Sequence, residues 1–94
     1  MLELKDTIAG MTSEDYKERF VAEYVQVAVR AQKLQNFLIK IKFAKHFGQE
    51  EPKHDCPTKL LDEQLMAMLA YAIVLKQRAE IEGIELPKIS DEEE

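Results

Sequence analysis

Apolar residues recur along this chain at alternating intervals of four and three, in two long runs separated by a polar stretch. In the first run Phe20, Tyr24, Val27, Ala31, Leu34, Leu38 and Ile41 follow that spacing, and no Gly or Pro interrupts it from residue 13 to about 46. This period puts all of them on one stripe of an α-helix, the a/d seam of a heptad. Val21, Val25, Ala28 and Ile39 widen the apolar face beyond a two-stranded seam. In the second run Leu61, Leu65, Met68, Ala72, Leu75 and Ala79 repeat the period, thickened by Leu60, Met66, Leu69, Ile73 and Val74. The pattern predicts an all-α fold built on a long antiparallel helical hairpin.

The punctuation of the chain sets the ends of these elements. Residues 2–9, with Leu2, Leu4 and Ile8 apolar, predict a short amphipathic helix, and Gly10 is placed to end it as a left-handed residue. Thr12-Ser13-Glu14-Asp15 then predicts a helix start, with Thr12 capping the Asp15 amide and two acids facing the positive end of the helix dipole. Gly48 stops this helix, and Gln49 to Asp55 is a polar loop containing Pro52. Pro57 suits the first turn of the next helix, Gly83 ends it and Pro87 prevents its return. The expected helices are about 2–9, 13–46 and 57–82, in a single helical domain over 1–86, and 87–94 is expected to be an acidic, disordered tail.

Helix length carries a consequence for assembly. About 33 helical residues extend ~50 Å, whereas a compact globule of this size has a radius of gyration of ~13 Å. The second long helix covers one side of the first and leaves apolar residues on more than one stripe. Burying them against further copies is the physical solution, so the expectation is a homo-oligomer. A monomeric three-helix domain, with the short first helix covering the remainder, is the alternative.

With 94 residues, three Gly, three Pro and one Cys, the composition excludes an all-β sandwich, a disulfide scaffold and a second domain. The first six residues hold neither a basic nor an apolar leader, and the apolar stretch from Leu65 to Leu75 is shorter than the ~20 residues that span a bilayer. Together with a lone thiol, this points to the cytoplasm. The net charge of −5 argues against a duplex nucleic-acid partner. Its distribution qualifies that argument. Between Glu23 and Glu50 every charge is positive, from Arg30, Lys33, Lys40, Lys42 and Lys45, while Glu80 to Glu94 hold seven acids against Lys88. Arg30 and Lys33 flank the seam, where rim cations can meet an anion between subunits or simply face solvent.

Few residues suggest chemistry. His46, His54, Asp55 and Cys56 match no zinc spacing, so no metal is expected. No nucleophile elbow, phosphate loop or dinucleotide fingerprint is present, and an enzyme is not expected. Tyr16, in the first helical turn, can stack on a ligand base or pack as a staple against the short N-terminal helix. Arg78 interrupts a small-residue helix end; it can pair with Glu82, one turn on, or hold an anion near a symmetry axis.

The stretch Asp15-Tyr16-Lys17-Glu18-Arg19-Phe20-Val21-Ala22-Glu23-Tyr24, with Lys33-Leu34 and Phe37-Leu38, and then Leu60-Leu61, Glu63-Gln64, Ala67-Met68, Tyr71, Leu75 and Arg78, resembles a family of short phage proteins. These are the small anti-CBASS cyclic-nucleotide sponges. The resemblance implies a homo-oligomer, a hexamer of interlocked dimers, that sequesters cyclic oligonucleotide second messengers without cleaving them and so evades host immunity. It implies that Tyr16 stacks on a purine of a cyclic dinucleotide such as 3′,3′-cGAMP and that Arg30 or Lys33 contacts its phosphates. Arg78 would then belong to a second pocket, for cyclic trinucleotides, near a three-fold axis. Ala28 and Ala31 are smaller than that pattern leads one to expect. The alternative function is a phage helical oligomer that serves as a protein–protein interaction or scaffold module.

Overall fold

The two heptad runs fold as two long helices, α2 (Tyr16–His46) and α3 (Thr58–Glu82), preceded by a 3-10 turn (Leu4–Thr7) that passes directly into the short helix α1 (Ile8–Met11). The structure is a computed structural model describing residues 2–89, and no strand occurs among them. Helices α2 and α3 run antiparallel, with Tyr16 beside Arg78 at one end and Lys42 beside Asp62 near the other. The molecule measures 49 × 27 × 24 Å, its long axis set by the 31 residues of α2.

Helix ends follow local chemistry, in two places differently from the sequence expectation. Asp15, not Thr12, caps α2: its carboxylate accepts from the Lys17 amide at 2.9 Å. The Asp15 amide is already taken by the Ser13 hydroxyl at 3.0 Å, and the Thr12 hydroxyl turns back to the Ile8 and Ala9 carbonyls. Gly10 lies inside α1 and has no positive φ, so it does not act as a left-handed terminator. What it supplies is a close approach, because a Cβ there would lie 2.9 Å from the Ala22 Cβ. Gly48 and Gly83 do adopt positive φ, 64° and 68°, where the long helices end.

The core forms where α2, α3 and the segment after α3 converge. Phe20, Tyr24, Val25 and Val29 of α2 meet Ala72, Leu75 and Ala79 of α3, together with Ile84 and Ile89. Each fully buried aliphatic side chain of this kind contributes ~1.5–3 kcal/mol. After Gly83 the chain folds back along the flank of α2, and the Leu2 amide donates to the Ile89 carbonyl at 3.0 Å. Residues 87–89, expected in the tail, therefore belong to the packed unit, with Ile89 only 1% exposed. The expected disorder of 90–94 lies outside the described residues.

The hairpin covers one stripe of each long helix. Along the α2 seam Phe20, Tyr24, Ala31, Leu38 and Ile41 are buried. On α3 only Ala72, Leu75 and Ala79 are, while Leu60, Met66, Leu69, Ile73 and Val74 face outward, Met66 at 72% exposure. The second apolar stripe anticipated from the sequence is thus uncovered within one chain. No helix among the described residues is long and apolar enough to cross a membrane.

Candidate functional site

Seven residues make one heptad, two turns of helix, so Tyr16, Glu23, Arg30 and Phe37 form a row along one edge of the α2 seam. Arg78, Tyr71 and Gln64 form the matching row on α3. Because the helices run antiparallel, these rows face each other. Tyr16 meets Arg78, and Tyr71 meets Glu23. The result is a polar ladder beside the apolar seam.

Its best-built rung lies at the end of the hairpin carrying the N-terminus of α2. Arg78 Nη2 donates to the Tyr16 hydroxyl at 2.8 Å, and that hydroxyl donates to Glu82 Oε1 at 3.0 Å. Arg78 Nε lies 3.4 Å from Glu82 Oε2, closing a three-residue ring of contacts. The guanidinium carbon is 4.9 Å from the centroid of the Phe20 ring, a cation–π position. Phe20 is buried, and its ring lies 6.1 Å from the Tyr16 ring at 57°. Partial desolvation works against the Arg78 charge, but Tyr16 and Glu82 outweigh it and hold the pKa above its ordinary value. One rung away the Tyr71 hydroxyl donates to the Glu23 carboxylate, and that bond, reinforced by burial, raises the Tyr71 pKa.

The structure therefore brings Tyr16 and Arg78 together and leaves Arg30 and Lys33 apart from them. Arg30 is about 21 Å further along α2 and Lys33 about 26 Å. Both are exposed, and neither has a hydrogen-bond or ion-pair partner among the described residues. The polar and ring contacts of Tyr16 run to α3 and to Phe20. Arg78 does pair with Glu82, as the four-residue spacing suggests.

Three contributors escaped the sequence reading. Phe20 supplies the platform under Arg78 as well as a core side chain. Glu23 and Tyr71 supply the second rung, whereas Glu82, the carboxylate of the first, was expected from its spacing to Arg78. The shared heptad position of Tyr16 with Glu23, and of Tyr71 with Arg78, was the available signal.

Elsewhere, His54 contacts the Cys56 carbonyl at 2.7 Å through Nδ1 and Glu51 at 3.3 Å through Nε2. Among the described residues no group of three or more His, Cys, Asp or Glu is placed to hold a metal ion. An open cleft on the opposite face of α2 is lined mainly by apolar atoms of Leu2, Gly10, Val21, Ala22, Val25 and Ile84. None of the four candidate ligand-binding residues, Tyr16, Arg30, Lys33 and Arg78, lines it.

Of three comparisons with known proteins, one finds a similarity. The Sequestin family model matches residues 14–81, a span that contains Tyr16, Arg30, Lys33 and Arg78. No curated protein and no solved structure matches at a significant level.

Proposed function

Since the chain belongs to the Sequestin family, we propose that it is a phage sponge for cyclic oligonucleotide second messengers. In this role it binds cyclic dinucleotides such as 3′,3′-cGAMP, and cyclic trinucleotides, and withholds them from host effectors without cleaving them. The family name itself denotes sequestration. The observation that carries the nucleotide assignment is the Tyr16–Arg78–Phe20 cluster, where an exposed ring and a cation seated on a second ring share one end of the hairpin. A ring offers a stacking surface to any base, and a guanidinium offers paired donors to a phosphate.

The proposal includes self-association as a hexamer, working in the host cytoplasm. Arg30 and Lys33 are too far along α2 for one small ligand to touch them and Tyr16 in the same chain. Partner chains bring the two ends together, so that one chain supplies the ring and another the phosphate cation. The bare apolar stripe of α3 supports this assembly. A ligand with two-fold or three-fold symmetry matches sites formed between identical chains.

Native mass spectrometry with and without cyclic di- and trinucleotides tests both parts at once. The expected spectrum shows an oligomer that gains integral ligand masses. A monomer, or no bound mass across the series, refutes the proposal. Tyr16→Ala is expected to weaken dinucleotide binding about 5- to 140-fold, the value of one lost stacking contact, while leaving the oligomer intact.

A further inference from the structure

We infer that Glu82 is an internal competitor for the anion site, a carboxylate that occupies Arg78 and Tyr16 until an incoming anion displaces it. The inference rests on the ligand class proposed above and adds a specificity-determining residue to it. Glu82 bridges both groups that an anion would use: one oxygen accepts from the Tyr16 hydroxyl at 3.0 Å and the other lies 3.4 Å from Arg78 Nε. Nη1 of Arg78 stays open, but the Nε edge of the guanidinium and the Tyr16 hydroxyl proton reach a ligand together only if this carboxylate moves.

Two features show that it can move without dismantling the site. Arg78 is held independently, by the Phe20 ring beneath it and by its own 2.8 Å bond to Tyr16. Glu82, by contrast, is the last residue of α3, directly before the left-handed Gly83. The helix dipole is negative there, and an acid at that position is disfavoured. Its contact with Arg78 offsets that position, and the last helical turn leaves the side chain free to choose another rotamer. The carboxylate thus sits where the backbone holds it least and the cation holds it most.

The consequence is discrimination by charge. A lone inorganic phosphate that takes the Nε edge and the hydroxyl replaces both contacts of Glu82 and then faces the displaced carboxylate. A ligand with two phosphates keeps further contacts elsewhere and overcomes that competition. Glu82 therefore rejects common small anions and admits polyanionic ones.

The test compares the wild type with Glu82→Gln and with Glu80→Gln. The latter removes the same charge from the same turn at an exposed residue outside the cluster. Pyrophosphate is titrated into nitrogen-15-labelled protein while the Arg78 side-chain Nε–H signal is followed. The expected result is a midpoint about fivefold lower in Glu82→Gln and unchanged in Glu80→Gln. Equal midpoints in all three proteins, a higher midpoint in Glu82→Gln, or the same gain in both variants would overturn the inference. A parallel titration with 3′,3′-cGAMP separates the two claims. A lower pyrophosphate midpoint in Glu82→Gln, without dinucleotide binding to any of the three, upholds the competitor and refutes the sponge.

Discussion

At the scale of single residues, a tight steric constraint lies outside the polar cluster, at Gly10. It lies within α1, where alanine is the better helix former by about 1 kcal/mol, yet a Cβ there would meet the Ala22 Cβ at 2.9 Å and the Glu18 carbonyl at 3.2 Å. Neither neighbour has a rotamer to change. Overpacking costs about 1–3 kcal/mol, so the clash outweighs the propensity gain. Gly10→Ala is expected to lower the urea midpoint of unfolding, by a net loss of about 1 kcal/mol. This residue also shows how far sequence reading reaches. A glycine after a short apolar run has the look of a terminator, and nothing local distinguishes that from a contact with α2, twelve residues on.

At the scale of elements, the helices were legible because their period is set by burial, and burial follows the apolar residues directly. Both long helices end within a few residues of the expected positions. The site was only half legible. Arg78 with Glu82 is a contact within one helix, so spacing alone finds it. Tyr16 with Arg78 and Tyr71 with Glu23 depend on the register between two helices, which an apolar period does not specify. The connection between α2 and α3 adds a titratable element of its own. If Nδ1–H of His54 donates to the Cys56 carbonyl, a neutral ring turns a lone pair toward the Glu51 carboxylate, and protonation removes that conflict. The Cys56 carbonyl first and Glu51 second raise the His54 pKa above its ordinary value, with Lys45 and burial opposing. A raised pKa in the folded state means that the stabilisation is fully present below the unfolded value of about 6.5 and is lost as pH rises through the folded value. The stability difference between wild type and His54→Gln, measured by urea unfolding, is expected to favour the wild type more at pH 5.5 than at pH 8. A difference independent of pH would contradict this.

At the scale of the whole molecule, the hairpin presents a stretch of α3, residues 64–75, that carries no charge at all. Met66, Ile73 and Val74 on it are more than half exposed. In the proposed assembly this face is buried between chains. Ile73→Lys is expected to reduce the mass in light scattering to that of one chain, 10.9 kDa, with helical circular dichroism retained. An unchanged assembly would move the interface elsewhere. The bond from the Leu2 amide to the Ile89 carbonyl has a different consequence, for the order in which the chain folds. Pairing α2 with α3 closes only the short connection between them, whereas this contact closes almost the entire described chain, and loop entropy grows with the length enclosed. The hairpin forms first by that measure, and the two outer segments wrap it afterwards. Folding thus proceeds from the turn outward, and the wrapping that completes the core is also the part that opens at least expense.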